Sequence, residues 1–159
     1  MWEKDNKSQI EWLISVMSEN GFNLDYTIHS LIEIDKFIQL NYINGKLLRS
    51  SKLRKHAFSD YIICHSLTLY IEKILLKIPE VTEISTYDEI YNQTFYGLRI
   101  GNIEVYTEQK IIKRTQNGFP SSLYPYYYEL TKQYFNEEFR NSFYETKTLK
   151  PLKAWWNFW

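Results

Sequence analysis

One cysteine, five glycines, four prolines and a net charge of zero leave this 159-residue chain short of the usual functional markers. The single thiol, Cys64, can close no internal disulfide and build no cysteine zinc cage, and it suits a reducing cytoplasm. So few glycines and prolines leave little material for flexible linkers. The length predicts one domain over residues 1–159, large enough for a single core. The 19 basic residues are matched by 19 acidic ones. The basic excess that drives phosphate binding is therefore missing, which argues against a nucleic-acid partner. Long hydrophobic runs are missing too. The longest, Tyr61 to Ile78, is interrupted by His65, Glu72, Lys73 and Lys77, so no membrane span or membrane partner is expected. The opening MWEKDNKSQIEW lacks the apolar centre of a signal peptide. Together these features predict a cytoplasmic protein.

The markers of catalysis are equally scarce. There is no HExxH zinc motif, and Gly97, in TFYGLRIG, fits neither a Walker A loop nor a dinucleotide fingerprint. His29, His56 and His65 are scattered; on one helix His56 and His65 would lie on opposite faces and could not share a metal. Cys64 lies in an apolar run, where desolvation disfavours the thiolate. Asp88-Glu89 and Glu137-Glu138 are sequence neighbours, which diverge on a helix, and read as solvated faces. The basic run from Lys46 to His56, with Arg49, Lys52, Arg54 and Lys55, reads as a solvated helix face. No catalytic, cofactor-binding or metal-ligating residue is assigned.

What is present is a set of well-punctuated elements. Ile10, Leu13, Ile14 and Met17 recur at helical spacing between a Ser8/Glu11 capping box and a stop at Gly21. Thr27 reads as the cap of a second helix with Leu31, Ile34 and Ile38 on one stripe and Phe37 beside it, and Asn44-Gly45 marks a turn. Ser59 or Asp60 starts a third helix that ends at Pro79. Its wide stripe of Ile63, Leu67, Tyr70, Ile71, Ile74, Leu75 and Ile78 makes it the central one. The period then shortens, predicting strands at residues 81–87, 94–100 and 103–106, with a hairpin at Gly101-Asn102. Thr107 caps a fourth helix with Ile111 and Ile112 inward, stopped at Asn117-Gly118. Ser121 or Ser122 opens a fifth, with Leu123, Tyr127, Leu130 and Tyr134 inward. The fold class is α+β: about five helices packed on a small antiparallel sheet.

The aromatic share, 18%, is the compositional outlier. Tyr124, Tyr126, Tyr127 and Tyr128 cannot all face one core from one helix. Exposed tyrosine and tryptophan are enriched at protein interfaces. The segment 145–159 adds Trp155, Trp156, Phe158 and Trp159. This aromatic tail is expected to pack back on the domain near Tyr126, the alternative being docking on another chain. The residues expected to bind a partner are Tyr124, Tyr126, Tyr128, Trp155, Trp156 and Trp159.

Three stretches carry a resemblance: SLIEIDKF at Ser30–Phe37, VYTEQKIIKRTQNG at Val105–Gly118, and SSLYPYY at Ser121–Tyr127. Over residues 24–135 the chain resembles small bacterial domains of unknown function, some of them read as immunity-type proteins. It departs from their pattern at TLYIEKI, where Glu72 replaces a glycine, and near Thr107, where a proline is usual. The resemblance implies no catalytic residues. It implies a bacterial, non-catalytic binding protein that inhibits a partner protein, such as a toxin, by covering a surface. Self-association into a homo-oligomer is compatible with the same aromatic surplus. The competing expectation is a small enzyme or ligand-binding domain with a tyrosine-lined pocket.

Overall fold

A computed structural model describes residues 2–48, 51 and 60–134. The chain is α+β: five α-helices are described, with a two-stranded and a three-stranded antiparallel sheet. Helix α1 (Trp2–Glu19) leads through a turn to α2 (Ser30–Asn41). Strands β1 (Tyr42–Ile43) and β2 (Lys46–Leu47) then form a small hairpin around Asn44-Gly45, both at positive φ. Helix α3 (Asp60–Leu75) precedes β3 (Val81–Asp88), β4 (Gln93–Ile100) and β5 (Ile103–Val105), paired in the order β3-β4-β5. Helices α4 (Thr107–Asn117) and α5 (Leu123–Thr131) complete the described chain.

Helix α3 is the centre. Its stripe of Ile63, Leu67, Tyr70, Ile71, Ile74 and Leu75 is buried, and Ile78 follows it into the core beyond the last helical turn. It packs on α1 and α4, while α2 packs on α4 and α5. Only the base of the sheet joins this core, through Val81, Leu98, Ile100 and Val105. The Tyr70 hydroxyl holds the approach to α2: it accepts from the Tyr26 amide at 2.7 Å and donates to Ser30 Oγ at 2.8 Å.

Several sequence expectations are corrected. Helix α1 begins at Trp2, so Ser8 and Glu11 lie inside it and form no capping box. Thr27 does not cap α2, which starts three residues later. Its hydroxyl instead donates to Asp25 Oδ1 at 2.6 Å, in a turn where Asp25 also accepts from Ser30. Thr107 is the first residue of α4, after Tyr106 at the cap position. Ile112 is 40% exposed rather than inward. The inner face of α4 is Thr107, Ile111, Arg114 and Thr115, the i, i+4, i+7, i+8 stripe of a helix, and Ile112 lies one step off it. On α5, which ends at Thr131, Leu123 and Tyr127 are buried as expected and Leu130 is half-buried; Tyr134, expected inward on the same helix, is half-buried in the 3-10 turn Lys132–Tyr134 that follows.

Two glycines answer specific backbone demands. Gly97 lies in β4 where a Cβ would meet the Val105 carbonyl oxygen at 2.5 Å, so its role is close strand packing. Gly118 ends α4 at φ 68°, ψ −142°. That is positive φ, but not the left-handed helical cap; it lies near the region that only glycine occupies readily. A Cβ at Gly118 would meet nothing within 4 Å. Gly118→Ala is therefore expected to cost about 1–3 kcal/mol through backbone strain alone, read as a lower urea midpoint with an unchanged m-value.

Candidate functional site

The three stretches that carry the resemblance converge in space. Asp35 of α2 is fully buried, and Arg114 of α4 is 1% exposed. Arg114 Nε donates to Asp35 Oδ1 at 2.9 Å, and Nη2 donates to the Asp35 carbonyl at 3.1 Å. Gln39 Oε1 accepts from both terminal guanidinium nitrogens at 3.4 Å. The same carboxylate receives the Leu123 amide on Oδ1 and the Tyr124 amide on Oδ2, each at 2.9 Å. These are the first two amides of α5. The third helical residue, Pro125, has no N–H, so Asp35 satisfies the helix end from another helix. Ser122 occupies the cap position, but its hydroxyl donates to the Phe119 carbonyl instead. Burial pushes the Asp35 carboxyl up, while the two amides and Arg114 pull it back down. Arg114, a positive side chain near the carbonyl end of α4, is the core of this junction.

The predicted interface residues divide. Tyr124 is buried at 4% exposure and stacks between His29 and Tyr128, so it presents no open surface. Tyr126 and Tyr128 are half-buried; Lys110 Nζ lies 3.9 Å from the Tyr126 ring centre. Trp155, Trp156, Trp159 and the whole segment 145–159 lie outside the described residues, as do His56, Arg49, Lys52, Arg54, Lys55, Glu137 and Glu138.

Cys64 is buried, and desolvation, helped by the Asp60 and Glu108 charges, pushes its thiol up to about 11. Among the described residues no group of three histidine, cysteine or carboxylate side chains could hold a metal, and no helix is long and apolar enough to cross a membrane. Three of the open cavities among the described residues are small or lack a ring of tyrosines. One of about 150 Å³ is lined by Lys110, Lys113, Ser121, Ser122 and Tyr126. Others of about 200 and 320 Å³ lie against the β1–β2 turn and the β4–β5 turn.

Glu72 is the perturbed carboxyl that the sequence hides. Burial, with Glu83 and Glu108 adding repulsion, raises it to about 7, although Thr107 hydrogen bonds to it. The buried Tyr127 hydroxyl donates to Thr107 Oγ1 at 3.1 Å, tying α3, α4 and α5 together.

Among the described residues the β3–β4 ribbon carries a group of exposed large side chains. Direct partners in the ladder share a face, so Val81, Glu83, Ser85 and Tyr87 lie beside Ile100, Leu98, Tyr96 and Thr94. At the base this face is core. Further out the helices end and the same face runs into solvent, leaving Tyr87 57% and Tyr96 70% exposed. At the tip, Ile90 and Tyr91 are 89% and 71% exposed. The tip is nonetheless built: Asp88 Oδ1 accepts the Ile90 and Tyr91 amides at 2.8 and 3.1 Å, Asn92 takes positive φ, and the Tyr87 hydroxyl donates to Asn92 Oδ1. On the other face the Tyr106 hydroxyl bonds Thr86 Oγ1 at 2.9 Å. None of Tyr87, Ile90, Tyr91 and Tyr96 was singled out from sequence. The signal was there: after Val81 the run TEISTYD is polar on both faces, as a strand with solvent on both sides must be.

No family model, curated protein or solved structure matches the chain.

Two predictions follow the geometry. Asp35→Ala and Arg114→Met should each lower stability by about 3–5 kcal/mol, because each strands a buried charge or helix end. The double variant should cost clearly less than the two losses added, as measured in a urea double-mutant cycle. For Glu72 the folded carboxyl holds its proton more tightly than the unfolded one, whose ordinary value is 4.5. Its stabilising contribution is thus complete below about pH 4.5, is lost as pH rises to about 7, and stays lost above that. Glu72→Gln should remove this decline and exceed the parent in stability at pH 8 by about 1–3 kcal/mol, with little difference at pH 4.

Proposed function

We propose that this chain is a non-catalytic binding protein of the cytoplasm, an immunity-type inhibitor that covers a surface of another protein. The observation that carries this reading is the β3–β4 ribbon, whose Tyr87, Ile90, Tyr91 and Tyr96 stand in solvent on an ordered turn. Clustered exposed apolar groups mark interaction surfaces, and tyrosine is a preferred interface anchor. A turn that spends hydrogen bonds to hold Ile90 and Tyr91 outward is already ordered for docking, which lowers the entropic cost of association. The resemblance to bacterial immunity-type domains supports the same reading. The balanced charge and single cysteine support a cytoplasmic protein partner over nucleic acid.

The test is Ile90→Asp/Tyr91→Asp. Both side chains are exposed, so stability should change by no more than about 0.5 kcal/mol. A partner captured by the wild-type chain from lysate of the source cells, and identified by mass spectrometry, should bind the variant at least tenfold more weakly. Equal affinity for wild type and variant would overturn the assignment of the ribbon.

A further inference from the structure

Strand β3 is an outer strand of its sheet. It pairs with β4 through eight consecutive positions, Val81↔Ile100 to Asp88↔Gln93, without a bulge. Among the described residues no strand pairs with its other side. Half of its backbone N–H and C=O groups therefore face away from β4. Such an edge is normally blunted by lysine, proline or a bulge. β3 has none of these. Among the described residues its guard is acidic: Glu83 and Asp88, on opposite faces of the strand, with Glu80 and Glu89 at its ends. The one base on β3 and β4, Arg99, is held by Glu104 at 2.9 Å.

That guard is selective. In a fully overlapped antiparallel pair of two copies, Glu80 of each would face Glu89 of the other at both ends, and like charges directly opposite are destabilising across a strand pair. A segment with a lysine or arginine opposite Glu83 and others towards its ends, near Glu80 and Glu89, would meet these carboxylates as opposite charges, while its backbone completes the ladder. We propose that the open edge of β3 takes up an extended, lysine- or arginine-rich segment of a partner protein as a fourth strand. The tip residues Ile90 and Tyr91 and the face residues Tyr87 and Tyr96 flank that edge and supply apolar contact. Main-chain pairing gives the affinity in this mode and alternate side chains the selectivity. This inference rests on the ribbon being the binding surface and names the chemistry it selects.

The test pans a displayed library of random twelve-residue peptides on the full chain. Counter-selection uses Glu83→Lys/Glu89→Lys, in which two exposed acids are reversed and Asp88 keeps the turn. Enriched peptides should be rich in lysine or arginine and shift the amide resonances of Thr82–Asp88. Methylating alternate peptide nitrogens on the pairing side should weaken them at least tenfold, and the charge-reversed variant should bind them at least tenfold more weakly. Several results would overturn the proposal: no enrichment over the variant, acidic or helical winners, equal binding after N-methylation, or shifts confined to the helices. A concentration-dependent dimer that protects the β3 amides would assign the edge to a second copy. Protection of those amides in the free monomer would assign it to the chain's own residues 135–159. If the peptides fail while Ile90→Asp/Tyr91→Asp still abolishes partner capture, the ribbon remains the surface and only the strand-addition chemistry falls.

Discussion

The carboxylate of Asp35 is the point on which the helical body depends. It reaches Arg114 of α4 and the first two amides of α5 from the middle of α2. A buried ion pair alone is weak evidence for stability, because desolvating two charges offsets their attraction. Here each carboxylate oxygen also receives a helix amide, and the guanidinium reaches a carbonyl and Gln39 besides. Those extra hydrogen bonds compensate the desolvation. They also carry direction. An apolar cluster would hold α2, α4 and α5 together in several rotations, whereas a carboxylate that must meet two amides and a guanidinium permits one. The same amides are thereby withdrawn from anion binding, so the N-terminus of α5 is a structural joint.

How much of this was legible from sequence depended on the range of the interaction. Helix α3 and the three strands of the larger sheet follow from local periodicity: Ile71, Ile74 and Leu75 repeat at helical spacing, and Gly101-Asn102 punctuates β4 and β5. The Asp35–Arg114 junction joins residues 79 apart, and no local pattern reports it. A clue lay in the stripes themselves. Asp35 follows Ile34 on the inner face of α2, and Arg114 follows Ile111 by three on α4. An ionisable group on an apolar stripe needs a partner of opposite charge. Placing Ile112 inward missed this, because the inner stripe of α4 passes through Arg114 instead. Helix boundaries failed for a related reason. Ser8, Thr27 and Thr107 are all residue types that cap helices, yet each is committed elsewhere. Thr27 bonds Asp25 and Thr107 bonds Tyr127, while Ser8 lies within a helix that the charged residues before it extend.

The candidate interface was hidden by a different habit of inference. Tyrosines crowded on one helix attract attention, but crowding on a helix means that some must be core: Tyr124 and Tyr127 are. In β3 and the turn that follows, aromatic residues are sparser and the context is polar. There Tyr87 and Tyr91 lie in solvent. Polar residues on both faces of a strand announce that nothing covers it, and an aromatic side chain in that setting stands out from the fold instead of into it.

The two regions also differ in what a substitution disturbs. Asp35, Arg114 and Leu123 are bound into one another, so a change at any of them reaches three helices. From Thr82 to Asp88, β3 contributes little to the core beyond its ladder with β4, and its side chains meet mostly water. Changes there cost the fold little. The proposed binding role would use this division: a body fixed by long-range polar joints, and a ribbon whose side chains can vary without unfolding it. Glu83 shows where the two meet. It stands on the ribbon among the acids of the open edge, yet its charge also reaches Glu72 between the helices. A basic group arriving beside Glu83 would offset part of that repulsion, so occupation of the edge by the proposed partner would stabilise the body as well as the ribbon.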